Sequence, residues 1–224
     1  MSRPILNDHS LHRGTATSLA PASPGVGQRG PDAAGEHLSR ARTGCVEVVC
    51  GSMFSGKTEE LLRRIKRAEL ARLPVVLFKP RVDNRYDEVK VVTHEGACAN
   101  AVPVSSAGEM LDLAGPNVSV VGVDEAQFFD ATIVDVVTTL ADRGARVICA
   151  GLDQDYLGRP FGPMPALMAV AEYVTKLHAV CAQCGAEASR SQRLVASEGQ
   201  LFVGGAAAYE ARCRRCFVAY VAAG

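Results

Sequence analysis

The sequence predicts an α/β fold class with a parallel sheet, followed by a small C-terminal zinc-binding, ribbon-like domain. Three observations predict it. Short apolar runs alternate along the chain with segments whose apolar residues recur at helical spacing. A glycine-rich loop joins the first run to the first helix, and two C-x-x-C pairs lie near the C-terminal end. Alternating strands and helices are typical of parallel sheets, because each crossover between parallel strands is usually a helix.

The first segment, residues 1–43, shows neither a helical nor a strand period. Prolines and glycines interrupt it, and it has few large apolar side chains. Such a composition cannot bury enough apolar surface to order a chain. We therefore expect a disordered N-terminal extension here, although an over-extended start of translation explains the same composition.

Order is predicted from Cys45 onward, in one domain of residues 44–178. Strands are expected at residues 46–50, 75–78, 118–123, 147–150 and 173–177, with weaker candidates at 91–93 and 102–104. Helices are expected after the glycine-bearing turn that follows the first strand, and at residues 133–140 and 165–172. The first helix has an apolar face and a basic face that we expect to be solvated. The basic face consists of Arg63, Arg64, Lys66 and Arg67.

The composition excludes several classes of protein. The 24 Lys and Arg residues balance the 24 Asp and Glu residues, which argues against a strongly basic nucleic-acid binder. A hydrophobic content of 48% argues against an acidic disordered chain. No apolar run reaches the roughly 18–20 residues that span a bilayer, and no apolar signal peptide stands at the start. We expect a cytoplasmic protein with reduced cysteines and no membrane or nucleic-acid partner.

The glycine-rich loop has the sequence GSMFSGKT at residues 51–58 and matches the phosphate-loop pattern G-x-x-x-x-G-K-[ST]. Gly51 and Gly56 allow the backbone to curl, so that successive N–H groups point at phosphate oxygens. Lys57 adds a positive charge for the β- and γ-phosphates, and Thr58 offers a hydroxyl to Mg²⁺. The loop therefore predicts that the chain binds a nucleoside triphosphate together with Mg²⁺.

An acidic pair, Asp124 and Glu125, follows the strand expected at residues 118–123. The carboxyl ends of parallel strands are where α/β proteins bind ligands. Asp124 fits the aspartate that holds Mg²⁺ in phosphate-loop proteins, and Glu125 can accept a proton from the attacking group. If the attacker is water, the protein is an ATPase or GTPase; if it is a bound alcohol, the protein is a kinase.

The cysteine pairs are Cys181 with Cys184 and Cys213 with Cys216. Four thiolates at this spacing are typical of a closed, tetrahedral, structural zinc site. The 28 residues between the pairs exceed the roughly 15–20 of a common ribbon, so the excursion can form a lid or a binding loop. A redox dithiol and unligated thiols are the alternatives. We expect a second domain at residues 179–224.

Together these residues resemble a known family. The segments GSMFSGKTEELLRR, FKPRVDNRY, VDEAQFF and GRPFGPM, followed by the two cysteine pairs, resemble type II thymidine kinases over residues 45–218. The resemblance implies a RecA-like core, a zinc-bearing domain with a lasso loop at about residues 189–209, and a homotetramer. It implies transfer of the ATP γ-phosphate to the 5′-hydroxyl of thymidine or deoxyuridine, in nucleoside salvage and DNA precursor synthesis, with feedback inhibition by dTTP.

The resemblance also implies roles for individual residues, with Glu125 as the catalytic base and Arg85 on the phosphates. The implied ATP-binding residues are Gly51, Ser52, Met53, Phe54, Ser55, Gly56, Lys57, Thr58, Arg85, Asp124, Glu125, Ala126 and Gln127. The implied nucleoside-binding residues are Met53, Phe128, Leu152, Tyr156, Phe161, Ser191, Phe202, Val203, Gly204, Gly205 and Tyr209. Ser191 stands where many members have Thr, and Tyr156 where some have Phe.

Two other functions fit parts of the pattern. A phosphate-loop ATPase with a zinc module could act on nucleic acid, using Glu125 to orient water, but the neutral charge disfavours it. A nucleotide-sensing zinc protein could bind without turnover, but the complete set of Lys57, Thr58, Asp124 and Glu125 disfavours that function.

Overall fold

The computed structural model describes residues 43–81, 90–92, 98–195 and 207–219, which belong to one compact unit, Arg40–Gly224. Residues 1–42, most of the predicted extension, lie outside the described residues. Among those described, no helix combines the length and the apolar character that crossing a membrane requires.

The centre of the fold is a six-stranded parallel sheet. Its strands are β1 (Cys45–Gly51), β2 (Val75–Pro80), β5 (Val102–Val104), β6 (Val120–Val123), β7 (Arg146–Leu152) and β8 (Tyr173–Leu177). They lie in the order β5-β2-β6-β7-β1-β8. Strand β7 lies between β1 and β6 and is parallel to both. The loops that follow β1 and β6 therefore emerge at the same edge of the sheet. The predicted α/β class with a parallel sheet is confirmed.

Helices cover both faces of the sheet. On one face lies α1 (Lys57–Leu70), which buries Leu61, Ile65 and Ala68 against β1, β2 and β6. On the other face lie α2 (Gly108–Ala114), α3 (Ile133–Asp142) and α4 (Met164–Val170). Side chains of β1 alternate between the two cores, as the pleat requires. Burial on both faces explains why the inner strands of the sheet are mostly apolar.

Several elements differ from the sequence prediction. Helix α2 and the short turn of 3₁₀ helix at Ala126–Phe128 had no clear sequence signal. The first strand candidate after β2 forms β3 (Lys90–Val92), and it pairs in an antiparallel ladder with β4 (Cys98–Asn100) outside the main sheet. The basic face of α1 is not wholly solvated, because the Arg64 side chain is only 12% exposed.

The C-terminal part forms a small lobe, which we call the cysteine lobe, described at residues 179–195 and 207–219. It has two antiparallel ladders. The first joins β9 (Ala179–Val180) to β10 (Glu187–Ala188), and the second joins β11 (Arg190–Arg193) to β12 (Tyr209–Arg212). Its small core consists of Ala179, Cys181, Ala188, Ala211 and Cys213.

Candidate functional site

The phosphate loop lies between β1 and α1. Two of its glycines have positive φ, Gly51 at 146° and Gly56 at 82°, and Phe54 adopts a left-handed conformation at 63°. A Cβ on Gly51 would approach the Leu177 carbonyl oxygen to 2.3 Å, so only glycine fits there. Lys57, the first residue of α1, donates from Nζ to the Ser52 carbonyl oxygen at 2.8 Å. The loop thus encloses the end of the lysine side chain at the N-terminus of the helix, where anions are stabilised.

Thr58 and Asp124 lie next to each other although 66 residues separate them in the chain. The Thr58 hydroxyl donates to the Asp124 carboxylate, at 3.4 Å to Oδ1 and 3.3 Å to Oδ2. Asp124 follows β6 and is only 6% exposed. A hydroxyl and a carboxylate at one point are hard oxygen ligands of the kind that Mg²⁺ prefers. The donor set therefore fits Mg²⁺ beside the phosphate loop.

Glu125 follows Asp124 in a conformation that is uncommon for residues other than glycine. Its φ is 51° and its ψ is 42°, in the left-handed region. Its backbone N–H donates to Asp124 Oδ1 at 3.0 Å. Its carboxylate accepts a hydrogen bond from the side-chain amide of Gln127. The turn therefore places a second carboxylate at the same edge of the sheet as the phosphate loop.

Aromatic side chains follow the acidic pair and the end of β7. The rings of Phe128 and Phe161 meet edge to face, with centroids 6.1 Å apart. The Arg193 guanidinium lies over the Tyr156 ring at 3.6 Å and donates to the Tyr209 hydroxyl at 2.9 Å. Four of the aromatic residues predicted to bind the nucleoside thus form two close groups. Sequence reasoning missed Arg193. This residue is only 2% exposed, and no local sequence pattern predicts the burial of a single arginine.

The cysteine lobe contacts the phosphate loop directly. The Met53 backbone N–H donates to Ser191 Oγ at 3.0 Å, and Ser52 Oγ donates to the Ala188 carbonyl oxygen at 3.3 Å. The Phe54 ring packs against the core of the cysteine lobe. Ser191, which the resemblance places near the nucleobase, is therefore bonded to the phosphate loop in this structure.

The four predicted zinc ligands converge. The Sγ atoms of Cys181, Cys184, Cys213 and Cys216 all lie within 4.8 Å of one another. Cys184 Sγ and Cys213 Sγ are 3.7 Å apart. A tetrahedral zinc site with Zn–S bonds of 2.3 Å has sulfur–sulfur edges of about 3.8 Å, so the spacing fits the metal.

The thiols of this cluster interact with one another, and the pKa values of Cys181 and Cys216 shift in opposite directions. A hydrogen bond from the Cys213 backbone lowers the pKa of Cys181 to about 6. Hydrogen bonds with Cys184 and Cys213 raise the pKa of Cys216 to about 12. Adjacent thiolates repel one another, so one can ionise only at the expense of the next unless a cation compensates the charge. The cluster could therefore bind zinc.

Some predicted site residues remain untested by the geometry. Arg85, Phe202, Val203, Gly204 and Gly205 lie outside the described residues. Ala126 is fully buried and Gln127 is 3% exposed. Leu152 ends β7, where its backbone N–H donates to Gln127 Oε1 at 3.0 Å. The individual roles of these residues stay predictions.

The sheet, the loop after β1 and the acidic pair after β6 define a phosphate-loop protein that handles a nucleoside triphosphate. The model of the thymidine kinase family matches residues 44–217, nearly all of the ordered fold. Over 174 residues, 78% of this chain, the chain is 61% identical to a thymidine kinase of Rhodothermus sp. (strain ITI 518), covering 81% of that protein. It is 58% identical over the same length to a thymidine kinase of Bdellovibrio bacteriovorus, covering 85% of that protein. The chain belongs to the thymidine kinase family and is a phosphate-transferring enzyme, a kinase that uses ATP.

Proposed function

We propose that this enzyme transfers the γ-phosphate of ATP to the 5′-hydroxyl of thymidine, and also of deoxyuridine, to give the nucleoside monophosphate. The observation that carries the proposal is the convergence of the phosphate loop, Thr58, Asp124 and Glu125 at one edge of the sheet. Family membership supports an alcohol rather than water as the attacking group. Such an enzyme serves nucleoside salvage and DNA precursor synthesis in the cytoplasm.

The phosphate loop binds the triphosphate in this proposal. Its backbone N–H groups and the N-terminus of α1 face the phosphate oxygens, since both present positive charge there. Lys57 leaves the Ser52 carbonyl oxygen and pairs with the β- and γ-phosphates. Arg85 adds a second cation that offsets charge on the transferred group.

Thr58 and Asp124 hold Mg²⁺ through their oxygen atoms, Asp124 either directly or through water. When bound, the ion neutralises charge on the β- and γ-phosphates. The contact between the two side chains keeps both oxygen donors at one point beside the phosphate loop.

Glu125 is the general base. It accepts the proton of the 5′-hydroxyl while the 5′-oxygen attacks the γ-phosphorus and the bond to the β,γ-bridging oxygen breaks. The products are ADP and the nucleoside monophosphate, and the proton then leaves Glu125 for solvent.

The nucleoside lies among the aromatic groups beside the acidic pair. The proposed contacts are Met53, Phe128, Leu152, Tyr156, Phe161 and Tyr209, together with Ser191 and residues 202–205 of the lasso loop. We also propose that dTTP inhibits at this site and that the enzyme is a homotetramer. The ATP-binding domain spans residues 44–178, and residues 179–224 form the lasso domain, held by one Zn²⁺ on the four cysteines.

Product analysis tests the proposal. Protein incubated with ATP, Mg²⁺ and each deoxynucleoside in turn should form dTMP from thymidine and dUMP from deoxyuridine. The Glu125→Gln variant should keep its affinity for ATP and lose transfer by a factor of about 10²–10⁴, the usual contribution of a general base. If no deoxynucleoside yields a monophosphate, the proposed reaction is wrong. If the variant turns over at the parental rate, Glu125 is not the base.

A further inference from the structure

Gln127 is a buried polar side chain at the centre of the site. It is 3% exposed and lies in the 3₁₀ turn that follows Glu125. Its side-chain amide forms hydrogen bonds with two residues at the ends of different strands. On one side it reaches the Glu125 carboxylate after β6, and on the other it reaches the backbone N–H of Leu152 at the end of β7.

The orientation of this amide follows from its partners. The Leu152 backbone N–H can only donate, so the atom facing it at 3.0 Å must be the carbonyl oxygen, Oε1. The NH₂ group then has to face the other way. It donates from Nε2 to Glu125 Oε2 at 2.5 Å. A carboxylate oxygen is the matching acceptor, so the bond is charge-assisted and strong.

The walls around Gln127 allow it little movement. A Cβ on Gly151 would lie 2.8 Å from Gln127 Oε1, and a Cβ on Gly162 would lie 2.4 Å from the Gln127 carbonyl oxygen. Backbone of β7 and of the loop before α4 therefore contacts the side chain and the main chain of Gln127 closely. The amide is held by rigid elements, which is what a group that orients another side chain needs.

The backbone of Glu125 is held in place, since its N–H donates to Asp124 Oδ1 and its carbonyl oxygen accepts from the Phe128 N–H at 3.1 Å. It has a left-handed conformation that residues with a Cβ adopt at a cost of about 1–2 kcal/mol. A fixed backbone does not by itself fix the carboxylate, because a glutamate side chain has several staggered rotamers.

We propose that Gln127 is a positioning residue, whose side-chain amide holds the Glu125 carboxylate in the geometry for proton transfer. The inference rests on the proposed role of Glu125 as the base. The other end of the amide bonds to Leu152. The same side chain therefore fixes the position of the Glu125 carboxylate relative to the pocket in which the nucleoside lies. Gln127 thus acts through Glu125 and through the end of β7, because both hydrogen bonds of its side-chain amide go to these two groups.

The test is a Gln127→Met substitution, which keeps the length and volume of the side chain and removes both hydrogen bonds. We expect kcat to fall by about 10–100-fold, since small misplacements of a catalytic group cost that much. We expect the Kd for ATP to change by less than twofold. Rates are divided by the number of thymidine-binding sites measured by calorimetry, so that misfolded protein does not count. A structural role alone would lower the number of sites and leave the rate per site unchanged.

A double-mutant cycle shows whether the effect passes through Glu125. Single-turnover rates are measured for Glu125→Gln with and without Gln127→Met. If Gln127 acts by positioning Glu125, the second substitution should change the rate less than twofold in the absence of the carboxylate. An equal loss in both backgrounds, or no loss in the parent, overturns the inference. Parental turnover in Glu125→Gln alone overturns the proposed base, a separate result.

A second variant covers the case in which the methionine variant does not fold. Gln127→Asn keeps an amide but is one methylene shorter, so it cannot reach Glu125 and Leu152 together. We expect a loss of kcat per site of at least tenfold with the ATP Kd unchanged. Parental kcat in this folded variant contradicts the inference.

Discussion

Glu47 is a buried carboxylate on β1, with 7% of its surface exposed, and it joins three elements. Its carboxylate accepts from Arg146 of β7 at 2.5 and 2.9 Å and from Arg64 of α1 at 2.7 Å. Burial alone raises the pKa of Glu47. The hydrogen bonds and charges of Arg146 and Arg64 outweigh burial, and the pKa lies below its ordinary value. One residue therefore ties α1 to the end of the sheet that lies away from the phosphate loop.

The lowered pKa predicts how this residue contributes to stability as the pH changes. A carboxylate whose pKa is lower in the folded state stabilises the protein above its unfolded pKa of about 4.3, and that contribution is lost as the pH falls through the folded pKa. Glu47→Gln should therefore reduce the free energy of unfolding by roughly 1–3 kcal/mol at pH 7. Urea unfolding of both proteins at several pH values measures the difference, which should shrink below about pH 4. A difference that is constant down to pH 3 contradicts this role.

Helix α1 has a face that packs against the sheet and an N-terminal end that lies at the phosphate loop. Leu61 is fully buried against the sheet, whereas Leu70, in the last turn of the same helix, is 73% exposed. The first turn carries Lys57 and Thr58, so the packing of the helix sets the position of both groups relative to the phosphate loop. A leucine can thus be replaced by alanine at a buried and at an exposed position of the same helix.

Leu61→Ala should lower the free energy of unfolding by about 2–5 kcal/mol, because it removes buried methyl groups and leaves a cavity. Leu70→Ala should change it by less than about 0.5 kcal/mol, as is usual at exposed positions. Thermal or denaturant unfolding measures both. We also expect weaker ATP binding in Leu61→Ala, because the helix that carries Lys57 and Thr58 loses its anchor. Equal stability of the two variants would be inconsistent with the packing of α1 described above.

The elements differ in how well the sequence predicts them. The long strands and α1 are predictable because burial on two faces, or on one helical face, imposes a local apolar pattern. The phosphate loop is predictable because its backbone geometry requires particular residue types at fixed spacing. Helix α2 is not, because it buries only Met110 and has no side-chain N-cap. The bonds of Gln127 to Glu125 and Leu152 arise from the meeting of β6 and β7, which no local pattern encodes.

At the scale of the whole molecule, the cysteine lobe and the phosphate loop form one connected unit. Ser191 is 138 residues from Met53, yet its hydroxyl oxygen accepts a hydrogen bond from the Met53 backbone N–H in the phosphate loop. Phe54, in its left-handed conformation, packs against the lobe core that contains Cys181 and Cys213. The lobe core is so small that we expect its order to depend on a metal bound by the four cysteines, as in other small domains with a structural metal.

This connection predicts that zinc and ATP stabilise each other's binding. Removal of the metal with a chelator should unfold the cysteine lobe, release the loop contacts at Ser191 and Phe54, and weaken ATP binding by about 5–150-fold, the range of typical couplings. Because coupling is reciprocal, a non-hydrolysable ATP analogue should slow the loss of zinc to a coloured chelator. Ser191→Ala should reduce this protection while retaining one zinc ion per chain. If zinc is lost at the same rate with and without nucleotide, the lobe and the loop are independent despite their contact.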